Sequence, residues 1–188
     1  MKIASESLKA AFSFVLIITT FTGSVAAISP TVSQSLADNQ KTVYELPETG
    51  SILPNNPLFH IKRLRDEASL VFSQGQDKSK FLVTLSDRYT AYGQKMARMN
   101  KPESSFELFR QSIEYQENLV SLLKKQHKAG VIPNSGEDIC YKAVQSNIKQ
   151  AEVMGSILDD LSTSDQTVLA KILEKNIEIR KLLEICDK

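Results

Sequence analysis

Through the C-terminal two-thirds of this chain, apolar residues recur at alternating intervals of three and four, and that spacing leaves few folds open. Leu82, Leu85, Tyr89, Tyr92, Met96 and Met99 form one series, and Phe106, Phe109, Ile113, Gln116, Val120, Leu123 and His127 form the next. A third runs Cys140, Val144, Asn147, Ala151, Met154, Leu158, Leu161, and a fourth Leu169, Ile172, Asn176, Ile179, Leu183, Cys186. This is the period of helices that bury one stripe against a neighbour. Runs of β-branched residues bounded by turn dipeptides are missing. Only 7 Gly and 6 Pro are available to interrupt helices. The spacing predicts an all-α fold: a short first helix packed on two long antiparallel helical hairpins, close to a four-helix bundle.

The breaks between series are legible. Asn56-Pro57 suits a helix start, with Asn as cap and Pro at the first helical position. Leu58, Ile61, Leu64, Ala68 and Val71 then share one face, which is expected to dock on the bundle, and Gly75 reads as the stop. Asn100-Lys101-Pro102 separates the first and second long helices, and Ser104 with Glu107 reads as a capping box. Gly130 and Pro133 end the second. The third is expected to follow Ser135 and run to Leu161, and the fourth to follow Thr163. Paired antiparallel, the first two long helices match in one register. It sets Met99 against Phe106, Met96 against Phe109, Tyr92 against Ile113, Tyr89 against Gln116, Leu85 against Val120 and Leu82 against Leu123. Gly93 is expected to mark close approach of a neighbouring helix, and the Tyr89 hydroxyl is the expected partner of a buried Gln116.

The N-terminal third is different. Lys2 and Lys9 precede the apolar Ala10–Phe21, and small residues follow at Gly23–Ala27. Residues 1–27 therefore read as a secretory signal peptide. An apolar run of about 12 residues is short of the roughly 20 that span a bilayer, so a retained anchor is the alternative and no transmembrane span is expected after signal removal. Residues 28–55 read as a flexible polar leader broken by Pro30, Pro47, Gly50 and Pro54. Residues 56–188 form the helical bundle domain. The expected location is extracytoplasmic, secreted or held in the cell envelope.

Charge and chemistry exclude more than they assign. The chain carries 23 Lys+Arg against 22 Asp+Glu, and loss of Lys2, Lys9 and Glu6 leaves the mature chain balanced. No basic excess points to nucleic acid. Neither Glu-x-x-His nor His-Glu-x-x-His occurs, so the usual iron and zinc patterns of bundles are missing. No Cys-x-x-Cys-His, Gly-rich phosphate loop or Gly-x-Ser-x-Gly occurs either. No catalytic, cofactor-binding or metal residues are assigned, no cofactor is expected, and the chain does not read as an enzyme. His60 is expected on the exposed side of the first helix, and His127 near a helix end as a partly buried cap.

Two features remain. Cys140 and Cys186 each lie about 23 residues, or roughly 34 Å of helix, from the turn at Ser162-Thr163. Both therefore fall at the open end of the second hairpin. In an exported chain this predicts a structural disulfide. A redox pair is the alternative, although such pairs usually stand close in sequence. Lys62, Arg63 and Arg65 form a small basic cluster that reads as a weak docking site for an acidic partner or a lipid phosphate, or as a solvated helix face.

The segment Pro54-Asn55-Asn56-Pro57-Leu58-Phe59-His60-Ile61-Lys62-Arg63, followed by Leu70-Val71-Phe72 and by Leu85-Ser86-Asp87-Arg88, resembles a bacterial extracytoplasmic family known only as a domain of unknown function. Its members open on Pro-x-x-Pro-Leu-aromatic-x-Leu/Ile-Lys-Arg after a signal peptide. The likeness covers the first half of the mature chain. Tyr89, Tyr92, Cys140 and Cys186 depart from the pattern. The resemblance implies an exported helical domain and brings no catalytic residues. The expected function is a non-enzymatic interaction or structural role with a protein or envelope partner. The alternative is a small-ligand or metal-binding bundle using Met96, Met99 and His127 with a tyrosine.

Overall fold

The computed structural model describes residues 43–130 and 136–184. These form five helices: α1 (Leu58–Phe72), α2 (Gly75–Arg98), α3 (Pro102–Lys128), α4 (Gly136–Leu158) and α5 (Thr163–Leu183). The helices α2 and α3 form one hairpin, α4 and α5 the other, and the hairpins stack with α2 on α4 and α3 on α5. The all-α bundle expected from the spacing is therefore present, with α1 lying outside it against α2. Among the described residues no helix is long and apolar enough to cross a membrane.

Helix ends follow local chemistry more closely than the capping patterns suggested. Asn56 does cap α1, its Oδ1 accepting the Leu58 N–H at 2.9 Å. The helix stops at Phe72. Gly75 instead opens α2 from the left-handed region, φ 56°. The capping box at Ser104 is not used, because Pro102 already occupies the first turn of α3. Asn100, φ 57°, makes the bend between the helices. At the second hairpin Ser162, one residue before the expected cap, accepts the Asp165 N–H at 3.3 Å, and α4 has already ended at Leu158.

The register of the first hairpin differs from expectation. Phe109 lies on Gly93 rather than on Met96, and Ser112 lies on Ser86 and Thr90. This displaces α3 by one to two turns. Small residues decide it. A Cβ on Gly93 would stand 2.6 Å from Phe109 Cε1, so the expected close approach is there. Ser105 Oγ donates to the Gly93 carbonyl at 2.7 Å, and Ser86 and Ser112 each donate to the other's carbonyl at 2.9 and 2.8 Å. The large residues of α2 go elsewhere. Leu82 joins the bundle core with Phe106, Phe109 and Leu169. Leu85, Tyr89, Tyr92 and Met96 form a second cluster with Phe59 of α1 and Leu108 of α3.

Between the hairpins a polar layer crosses this apolar core. Gln150 Nε2 donates to Ser86 Oγ at 2.6 Å, Gln116 Nε2 to Ser146 Oγ at 3.1 Å, and Asn147 Nδ2 to Gln116 Oε1 at 2.7 Å and to the Asn176 carbonyl at 3.1 Å. Gln116 is thus satisfied by α4, not by Tyr89, whose ring packs edge-on against Tyr115, centroids 5.2 Å apart. A buried polar layer in which each member finds partners ties helices to one alignment. The α5 seam is as expected: Leu169, Ile172, Asn176, Ile179 and Leu183 are all buried. On α4, Asn147 and Met154 of the expected seam are buried, and the stripe widens on one side to Ile139, Ala143, Ser146, Gln150, Val153 and Ile157, while Cys140, Val144, Ala151, Leu158 and Leu161 are half-buried, since the polar layer must face α2 and α3.

Candidate functional site: the strap and the first helix

The first helix docks by the side opposite to the one its apolar spacing suggested. Leu58, Ile61, Leu64 and Val71 are 51%, 65%, 68% and 74% exposed, Phe72 is 83% exposed, and Ala68 is exposed as well. The buried residues of α1 are Phe59 and Asp66. Phe59 meets Tyr92 edge-on, centroids 5.3 Å apart, and Tyr89 at 6.3 Å. The Asp66 carboxylate is held on one oxygen by Arg65 at 2.8 Å and on the other by Arg88 of α2 at 2.7 Å. Phe59, the Asp66 pair and Leu70, which packs against both apolar clusters, therefore seat the helix, and its apolar stripe faces away from the bundle.

The end of the leader is packed rather than solvated. The Tyr44 hydroxyl donates to Asp87 Oδ2 at 2.5 Å, Leu46 packs against the bundle core, and Ile52 and Leu53 pack against the cluster under α1. Asp87 also accepts from Ser146 Oγ at 2.5 Å. Burial pushes the Asp87 carboxyl up to about 6 against the two hydrogen bonds that favour its ionised form. Burial and the Asp87 charge together raise the Tyr44 hydroxyl. The segment from Tyr44 to Leu53 is thus a strap fastened at both ends, with Pro47, Glu48, Gly50 and Ser51 between the fastenings.

Strap and helix flank an open groove of about 630 Å³. One wall is Pro47–Ile52, the other Leu58, Ile61, Lys62 and Arg65, and Arg88 reaches it from α2. Lys62 donates through Nζ to the Tyr92 hydroxyl and stands 5.0 Å from the centroid of that ring, a cation–π distance.

The structure divides the basic cluster expected from the sequence. Lys62 and Arg65 line the groove, while Arg63 pairs with Glu67 one turn on, at 2.8 Å, on exposed surface. That hydrogen bond raises the Arg63 guanidinium further. Arg88 and Asp66, which complete the site, were not anticipated. The only signal was Arg88 itself, a charged residue inside the helical segment Leu85-Ser86-Asp87-Arg88.

The metal constellation does not assemble. Met96 is buried, Met99 and His127 are exposed, and His127 stands at the far end of α3 from Met99, roughly 35 Å along the helix. His127 is therefore not a partly buried cap, whereas His60 is exposed as expected. Among the described residues no group of three His, Cys, Asp or Glu side chains gathers as a metal site.

No family model, curated protein or solved structure matches this chain.

Cys140 is half-buried against the core and is engaged with a partner. Cys186 lies outside the described residues, as do the signal-like segment 1–27 and the leader up to residue 42.

Proposed function

We propose that this is an exported, non-enzymatic helical protein that docks onto another macromolecule, a second copy of itself included, through the outward face of α1. The observation that carries the reading is the row Leu58, Ile61, Leu64, Val71 and Phe72. These are five large apolar side chains on one short helix, each at least half exposed. Contiguous exposed apolar patches of this kind mark interaction sites in stable proteins. The helix beneath is fixed by Phe59 and by Asp66 with Arg88, so the row is presented on a rigid support.

Export rests on the charged start, apolar run and small residues of Met1–Ala27. Membership of the extracytoplasmic family of unknown function rests on the segment Pro54–Arg63, whose Phe59 and Lys62 have definite roles here. A disulfide between Cys140 and Cys186 belongs to the same proposal. Leu183, three residues before Cys186, is buried at the end of α5, and Cys140 lies in the first turns of the antiparallel α4.

The test compares the wild-type chain with Ile61→Asp/Leu64→Asp by sedimentation over a range of concentration and by capture from cell-envelope extract. Association or capture lost in the variant supports the reading. A wild-type chain that neither self-associates nor captures anything the variant does not would refute it.

A further inference from the structure

We propose that the groove between the strap and α1 binds a single-chain amphiphile with an anionic head, such as a fatty acid or an alkyl phosphate. The inference goes beyond macromolecular docking and does not depend on it.

Its size, lining and charge point the same way. A volume of about 630 Å³ lies within the range of small-molecule sites, and it suits one extended alkyl chain better than a diacyl lipid. Pro47, Ile52, Leu58 and Ile61 give it apolar walls. Leu58 and Ile61 also belong to the outward face of α1, so a chain leaving the groove stays on apolar surface.

The polar end is cationic. Lys62, Arg65 and Arg88 all line the groove, and the two arginines share a single carboxylate, Asp66, one on each oxygen. Each guanidinium keeps further N–H donors beyond those spent on Asp66, in the fork geometry that suits carboxylate and phosphate. Lys62 is bonded to a neutral hydroxyl and, among the described residues, makes no ion pair. Glu48, itself exposed, is the acidic residue of the lining, and Asp66 bears on the groove through its two arginines. The lining thus carries three positive charges against Glu48 and the shared Asp66, a net attraction for one anionic head beside apolar walls.

The strap forms one wall of the site. It is fastened at Tyr44 and Leu46 on one side and at Ile52 and Leu53 on the other. The intervening Gly50 has open space where a Cβ would stand.

The test is calorimetric titration of the full chain, below the micelle threshold, with laurate, dodecyl phosphate, dodecanol and inorganic phosphate. Laurate or dodecyl phosphate is expected to bind at least about tenfold more tightly than dodecanol or phosphate alone. Lys62→Gln should weaken the anionic amphiphiles several-fold and leave dodecanol unchanged. Ile61→Asp, also on exposed surface, should abolish binding while the far-ultraviolet circular dichroism stays native. Equal binding of laurate and dodecanol, binding of phosphate alone as tight as laurate, no binding of any probe, or insensitivity to Lys62→Gln would each overturn the proposal. Wild-type docking through α1 measured without amphiphile keeps the two readings separate.

Discussion

Asp66 of α1 and Arg88 of α2 meet at 2.7 Å, with the Asp66 side chain 5% exposed and that of Arg88 23% exposed. With Phe59 on Tyr92, this contact sets which way α1 faces. Desolvating a carboxylate is costly unless its partner stays in place. Arg88→Ala leaves Asp66 with only the exposed Arg65, and is therefore expected to lower stability by about 1–3 kcal/mol and to raise hydrogen exchange across Leu58–Phe72 before the rest of the bundle. Urea denaturation with exchange mass spectrometry reads both. Unchanged protection of α1 would show that the pair does not seat it.

The strap is expected to respond to pH through Asp87. Its folded value near 6 lies above the ordinary 3.8, so between these values the folded chain keeps a proton that the unfolded chain has lost. The sign follows: this group's contribution is most favourable below about pH 4, falls as pH rises through the window, and is fully unfavourable above about pH 6. The span is on the order of 3 kcal/mol. Asp87→Asn should flatten the difference between urea melts at pH 4.5 and 7.5. An equal difference in wild type and variant would exclude Asp87 as its source.

Tyr44→Phe removes the hydroxyl that fastens the strap and leaves Asp87 with Ser146. A loss of about 1–2 kcal/mol is expected, together with faster proteolysis between Pro47 and Ser51. Cleavage at the wild-type rate would mean that Leu46, Ile52 and Leu53 hold the strap without Tyr44.

Gly93→Ala is expected to destabilise by about 1–3 kcal/mol, although alanine favours helix by about 1 kcal/mol at an ordinary site. The added methyl would meet three atoms of the Phe109 ring at 2.6 to 3.0 Å. A second substitution, Phe109→Leu, should recover part of the loss. A stabilised single variant would place α3 farther from α2.

Much of the bundle was legible because its helices obey one period. From Leu169 to Leu183 the α5 seam matches the spacing residue for residue, since α5 meets the bundle along a single stripe. The α2 spacing reads as one stripe and serves two: Leu82 faces the bundle core, and Leu85, Tyr89, Tyr92 and Met96 pack with Phe59 of α1 and Leu108 of α3. Periodicity finds an apolar stripe but does not say what it meets. Serines and a glycine set the hairpin register through backbone approach, which a count of apolar residues does not register. The same limit hid the orientation of α1: Phe59 and Asp66 carry no apolar period, yet they dock the helix. Of the candidate site, Lys62 and Arg65 were anticipated from their cluster. Arg88 and the Tyr44 fastening come from elements distant in sequence, and only the fold brings them to α1.

Docking surface and groove both rest on the outward apolar face of α1. The most direct measurement is urea denaturation of Ile61→Asp/Leu64→Asp, followed by hydrogen exchange at Phe59 and its neighbours. Stability within about 0.5 kcal/mol of wild type, with α1 still protected, is the predicted result. A loss of several kcal/mol with α1 released would contradict it and put that face against the bundle.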